Sequence, residues 1–309
     1  MSGTCDVHID LMVRTMGPYR LESAGQLLNL PLSGSTLEGL AYLSIHANQP
    51  VRKEKIASIL WPDRSEKSSR GLLSTALWRM RSCLRRVKSI SINSEAHCVE
   101  FVAAPRLFVD VIELEIAVAE ALTATKSASS FRLPKCNLDA LSMVIRTGDD
   151  DFLAGLTADW VLVERERVFN LRIRGLILLM NDLSERGMFS DALGFGRHIL
   201  HLDPFRECVH RQVMWLYVLA GQQGNAICQY NDCRRMLQQE LGIDPMIETT
   251  MLRDHILETD SESIGSYTAQ TQVLHDKETV ARKNILFRMN EIADERQCLL
   301  LMLNSSSLV

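Results

Sequence analysis

Ser69-Arg70-Gly71-Leu72-Leu73-Ser74-Thr75-Ala76-Leu77-Trp78-Arg79-Met80-Arg81-Ser82-Cys83-Leu84 is the stretch on which the reading of this chain turns. At 100° per residue, Leu73, Ala76, Leu77, Met80, Cys83 and Leu84 share one broad helix face. Gly71, Ser74, Thr75, Trp78, Ser82 and Arg85 fall on the opposite face, with Arg79, Arg81 and Arg86 at its flanks. The predicted helix starts near Ser65 and runs to about Val87, with no acid after Glu66. Arginine forks onto guanine or clamps phosphate, and hydroxyls donate or accept, so such a face suits a DNA major groove. A solvated amphipathic helix has the same pattern. Trp78 argues against plain solvation, because a large outward aromatic needs a partner: DNA sugar or methyl groups, or a neighbouring protomer.

Outward from this helix, residues 7–13 alternate weakly and predict a strand, and Gly25 to Leu32 suggests another. Ser35 opens a helix carrying Leu37, Leu40, Ala41, Leu43 and Ile45, which must stop before Pro50. A short helix holds Ile56, Ala57, Ile59 and Leu60 and ends at Trp61-Pro62-Asp63. After the long helix, Ser89–Ile92 and Cys98–Val102 suit a hairpin turning at Asn93-Ser94-Glu95. Strands, three helices and a hairpin are the element order of a winged helix-turn-helix with an N-terminal sheet. From Arg52 to Lys88 there are eleven Lys or Arg against three acids, inside a chain whose net charge is −4. That asymmetry fits a nucleic-acid-binding module fused to something else.

From Asp110 onward the pattern is helical: 110–124, 137–147, 159–186, then two helix pairs to about 258. Leu183-x3-Gly187 recurs as Tyr217-x3-Gly221, Asp191-Ala192 as Asn225-Ala226, and Met180 as Met214, each 34 residues on. Thirty-four is the tetratricopeptide period, a helix, a glycine turn and a second helix opening on a small residue. Trp215, Tyr217 and Tyr230 are expected to pack within these repeats. Thr259 to Gln272 is predicted to be a linker, followed by a helix at roughly 277–303. Its best seam is Ile285, Met289, Ile292, Arg296, Leu299 and Met302 with Leu303, which suits either dimerisation or docking on the repeats.

Composition sets the outer bounds. Hydrophobic residues at 46% and charged residues at 23% are ordinary globular values, which excludes wholesale disorder. The N-terminus shows no basic and apolar leader, and no apolar run spans a bilayer, so a cytoplasmic protein without membrane association is expected. The eight cysteines form no C-x-x-C pair, and reduced thiols are the expectation. His198-x-x-His201 lacks a third ligand nearby, and Asp149-Asp150-Asp151 lacks the glycine and terminal glutamate of a calcium loop. No phosphate-loop, dinucleotide, zinc-protease or nucleophile-elbow motif occurs, so neither enzyme activity, cofactor nor metal is expected.

The stretches Leu40–Val51, Ile56–Asp63 and Ser69–Leu84 resemble the OmpR-type winged helix of the antibiotic-regulatory-protein class of bacterial activators. The Leu60-Trp61-Pro62-Asp63 corner and the Arg79-Met80-Arg81-x-x-Leu84 helix end are the most specific features. Val109-Asp110-Val111 resembles the junction that opens the bacterial transcriptional activator domain. Asp151–Leu156, Asp159-Trp160-Val161 and Glu164-Arg165-Glu166-Arg167 resemble its core signature. Asp203–Glu207 and Glu240–Pro245 resemble its closing motifs. The resemblance spans roughly residues 7–258, departs in the wing, which lacks a Gly-Tyr-Arg tip, and has no counterpart after Thr259.

What the resemblance implies is a mainly helical protein in three parts. These are a winged helix-turn-helix at 1–105, a helical-repeat activator domain at 106–258, and a linker with C-terminal helix at 259–309. It further implies that Arg70, Ser74, Thr75, Trp78, Arg79 and Arg81 approach double-stranded DNA, with Arg85 and Lys88 adding phosphate contacts. RNA polymerase would be a protein partner, and protomers would sit as a homodimer or in tandem on direct repeats. The competing expectation is a tetratricopeptide-type interaction adaptor that does not bind DNA.

Overall fold

A computed structural model describes residues 11–85, 87, 89–103, 107–127, 132–146 and 151–259. The chain forms two compact units, Met1–Leu179 and Met180–Val309. In the first, chain order gives β1 (Leu11–Arg14), β2 (Arg20–Ser23), β3 (Gln26–Leu27), α1 (Gly34–Ile45), β4 (Val51–Arg52), α2 (Lys53–Leu60) and α3 (Glu66–Leu84). There follow β5 (Ile90–Ser94), β6 (Cys98–Ala103), β7 (Leu107–Val109), α4 (Asp110–Ser127), α5 (Lys135–Ile145) and α6 (Asp159–Glu185). This is a winged helix-turn-helix followed by helices, and the fold is mainly helical as expected.

Alternation makes β1: Leu11 and Val13 are fully buried while Met12 and Arg14 are partly exposed. β1 pairs antiparallel with β2 on one edge and parallel with β7 on the other, in the order β3-β2-β1-β7. A parallel neighbour needs a long crossover, and here the three helices and the wing supply it. Of the expected strand over Gly25–Leu32, only Gln26 and Leu27 are in a strand; the longer strand β2 lies upstream, with Leu21 buried. The wing hairpin also turns later than expected, because β5 continues through Ser94. β4 joins it in the order β4-β6-β5.

Two small-residue positions set the three-helix packing. A Cβ on Gly39 of α1 would lie 2.8 Å from Met80 Cε and 2.9 Å from Leu60 Cδ1, so glycine permits the close approach to α2 and α3. After α1, Asn48 takes a left-handed conformation (φ +59°), which asparagine tolerates. From there its N–H donates to Phe101 O (2.8 Å), and its side-chain oxygen accepts from Ala103 N (3.0 Å).

The winged-helix core does not end at β7. Asp110, buried at the start of α4, accepts hydrogen bonds from Thr15 N, Thr15 Oγ1, Met16 N and Val111 N. Leu153 N and Ala154 N donate to Thr15 O and Gly17 O, extending the N-terminal sheet by a bridge to Phe152. Arg165 of α6 holds that loop by donating to the carbonyls of Phe152, Leu153 and Leu156. Trp160 packs edge-on against Tyr42 of α1 at 5.2 Å, and Phe152, Leu153, Val161 and Val168 belong to the same hydrophobic cluster as α1–α3.

The second unit begins in the last turns of α6 and adds α7 (Phe189–Leu202), α8 (Glu207–Leu219), α9 (Gln223–Leu241) and α10 (Ile247–Thr259). The 34-residue repeat is visible bond by bond. Gly187 and Gly221 both have positive φ (+75° and +71°), the conformation glycine adopts freely. Met188 N donates to Leu183 O and Gln222 N to Tyr217 O, at 2.9 and 2.8 Å. Met180, Ala192, Met214 and Ala226 are buried at equivalent places. Tyr230 is core, with Trp215 and Tyr217 partly buried against it.

Candidate nucleic-acid interface

Helix α3 buries Ser69, Leu73, Ala76, Leu77, Met80 and Leu84 and turns the rest outward. Arg70, Ser74, Thr75, Trp78, Arg79, Arg81 and Arg85 are all exposed, Trp78 by 68%. Lys88 lies outside the described residues. The single helix therefore brings seven of the eight expected residues to one surface, without an acid among them.

Their surroundings differ. Arg70 Nη2 pairs with Glu66 Oε1 at 2.5 Å, with Glu54 of α2 at 3.9 Å, so this guanidinium already has acidic neighbours. Ser74 Oγ donates to Arg70 O and Thr75 Oγ1 to Gly71 O, at 3.0 and 3.1 Å. With their protons directed at the helix backbone, both hydroxyl oxygens present lone pairs outward, as acceptors for base amino groups. Among the described residues, Arg79 and Arg85 make no ion pair. Arg81 Nε donates to Ile92 O of β5 at 2.9 Å, which ties α3 to the wing with one of its five donors.

Lys53 was not evident from sequence. Its Nζ donates to Glu95 O and to Ala96 O (3.2 Å), and its backbone N–H to His97 O (2.9 Å). The start of α2 thus holds the wing tip. No spacing rule links Lys53 to Glu95 across 42 residues; only the pairing of β4 with β6 brings them together. The tip, residues 93–97, is exposed and contains no arginine. Cys83 borders the buried face of α3, and burial pushes its thiol above the ordinary value, away from reactive thiolate.

No helix among the described residues is long and apolar enough to cross a membrane, and no cluster of three His, Cys, Asp or Glu among them could hold a metal ion.

Residues 113–257 match the family model for the bacterial transcriptional activator domain. Over 260 residues the chain is 25% identical to the regulatory protein AfsR of Streptomyces coelicolor, covering 83% of this chain and 25% of that one. AfsR of Streptomyces griseus is 22% identical over 255 residues, covering 82% of this chain and 25% of its own. The chain thus spans a quarter of the length of these relatives. The solved structure of Mycobacterium tuberculosis EmbR in complex with a low affinity phosphopeptide superposes with a TM-score of 0.66 at 17% identity. It covers 81% of this chain and 65% of that one, a likeness of fold.

Within the region that matches the activator-domain model the motif residues serve structure. Arg206 pairs with Asp203 at 2.6 Å. Glu207 Oε2 accepts from Met246 N (2.8 Å) and Thr249 Oγ1 (2.7 Å), while Arg211 Nη1 donates to that hydroxyl oxygen at 2.9 Å. Arg167 bridges Glu115 and Glu164 at 2.6 and 2.7 Å. His210 lies half-buried to buried between Pro204 O and Gln229 Nε2, and burial lowers its pKa.

Proposed function

We propose that this chain is a sequence-specific DNA-binding transcription regulator, an activator whose helix α3 enters the major groove of duplex DNA. The outward surface of α3 carries this reading: Ser74, Thr75, Trp78, Arg79 and Arg85 exposed together, with no acid in the helix beyond Glu66. Arg79 and Arg85 contact phosphate or guanine. Ser74 and Thr75 accept from base amino groups, and Trp78 covers sugar or thymine methyl. Arg81 holds the wing in place beside the groove, and Lys88 adds a phosphate contact. Arg70 exchanges Glu66 and Glu54 for DNA. The functional division is a DNA-binding part over 1–105, an activator part over 106–258 that offers a surface to RNA polymerase, and a tail over 259–309. Protomers sit side by side on direct repeats in the cytoplasm. That AfsR of both species is named a regulatory protein supports the regulatory half of this reading.

The test begins with selecting a duplex from a random pool using the full chain, then measuring affinity against salt. Six to eight phosphate contacts give a log–log slope of roughly −5 to −7. A flat salt response, or unchanged affinity in the Arg79→Ala, Arg81→Ala double variant, would overturn DNA binding and favour the adaptor.

A further inference from the structure

The repeat unit ends on an apolar surface. Leu241 closes α9, Ile243 and Met246 follow in the turn, and Ile247 and Met251 stand one turn apart on α10; all are 45–71% exposed. Five large apolar side chains within eleven residues form a patch of a kind that solvent-facing repeat ends avoid, because a helical-repeat array requires a terminal cap with a polar outer face. Glu240 and Asp244 are exposed within the same stretch.

We infer that this patch is the docking site of the chain's own segment 277–303, bound as an amphipathic helix that caps the repeats. The segment carries matching side chains: Ile285, Met289, Ile292, Leu299 and Met302 share a seam with Arg296 at three- and four-residue steps. Arg282, Lys283 and Arg288 accompany the first half of that seam and complement Glu240 beside the patch, while Asp244 already accepts from Gln238 and faces Arg234. The connection has the required reach. Returning from the end of α10 to its start means retracing thirteen residues, about 20 Å of helix at the standard rise. The seventeen residues 260–276, treated as a flexible linker, have a root-mean-square span of roughly 23 Å. The effective concentration of a segment so tethered is on the order of millimolar, well above that of a second copy in solution. The inference is independent of DNA binding.

The full chain tests it by photo-crosslinking from a benzophenone amino acid at position 251. The expected product is a monomer whose crosslinked peptides come from 277–303, in a yield independent of protein concentration. A dimer band that grows with concentration would assign the patch to a second copy and overturn the inference, as would the absence of tail peptides. In parallel, hydrogen exchange of the 241–256 backbone is followed in the Ile292→Asp, Leu299→Asp variant. That variant leaves the described core untouched. The expected effect is exchange at least about tenfold faster on the patch when the cap is lost; an unchanged rate overturns the proposal.

Discussion

Arginines of the repeat unit and arginines of α3 carry the same charge in opposite circumstances. In the repeats, Arg186 binds the buried carboxylate of Asp182 through two bonds of 2.6 and 2.9 Å, Arg206 binds Asp203, and Arg253 lies over the Tyr230 ring beside Asp254. On α3, Arg79 and Arg85 have no such partner among the described residues and project from an exposed face. Charges that complete a fold are matched within it, whereas charges that serve an external anion are left for that anion. The two sets should therefore give opposite signatures when removed, one in stability and the other in affinity.

The largest effect tests the repeat half. Asp182→Ala removes a carboxylate with no exposed surface and strips Arg186 of a bidentate partner. A loss of about 3 kcal/mol is expected, at the lower end of the range for a wholly buried pair because Arg186 is partly solvated. Chemical denaturation of the repeat unit measures it, and DNA affinity of the molecules that remain folded should be unchanged. An effect below about 0.5 kcal/mol, the level of an ordinary surface change, would break the comparison.

Glycines sharpen the same contrast. A Cβ on Gly196 of α7 would lie 2.5 Å from Val213 Cγ2, whereas one on Gly71 of α3 would meet nothing within 4 Å. Gly196→Ala should cost about 1–3 kcal/mol by overpacking. Gly71→Ala should instead stabilise α3 by about 0.5–1 kcal/mol, the helix-propensity gain. Thermal unfolding of both variants gives the two signs. If they agree, the open face of α3 is not open.

Next in size is Arg79→Ala. Losing one unmatched guanidinium should weaken duplex binding about tenfold and flatten the salt slope by roughly 1. The unfolding midpoint should not move, because Arg79 completes no contact within the fold. A stability loss with affinity intact would transfer Arg79 to the structural set.

These contrasts also mark how far sequence reasoning reaches. Period and spacing made the buried and exposed faces of α3 legible, and they found a repeat whose two turns share equivalent hydrogen bonds at Gly187 and Gly221. Both are local patterns, within one helix or one fixed offset. Long-range partners were not legible. Nothing near Arg165 indicates that it caps carbonyls of residues 152–156, and nothing near Asp110 reveals a site built from Thr15 and Met16. β2 escaped because its four residues, Arg-Leu-Glu-Ser, offer one apolar side chain and take their strand conformation from pairing with β1. Arg70 differs: its close partner Glu66 stands four positions before it and was legible, whereas Glu54 of α2, sixteen positions away, was not.

The smallest expected effect is a pH dependence confined to the repeats. Pro204 O can only accept, so His210 Nε2 must carry a proton, leaving Nδ1 to accept from Gln229 Nε2. The neutral ring is thus fully matched, and protonation would set a second donor against the Gln229 amide. Burial lowers the folded-state pKa below the ordinary 6.5, so the unfolded chain takes up the proton first. Stability of the repeat unit should be fully present above pH 6.5 and should decline as pH falls below it. His210→Gln keeps a donor and an acceptor but cannot titrate, so its stability should be flatter across that window. Denaturant midpoints at a series of pH values distinguish the two. A parallel decline in both proteins would place the titrating group elsewhere, and α3, whose exposed charges besides Glu66 and Lys67 are arginines, should show no counterpart near neutral pH.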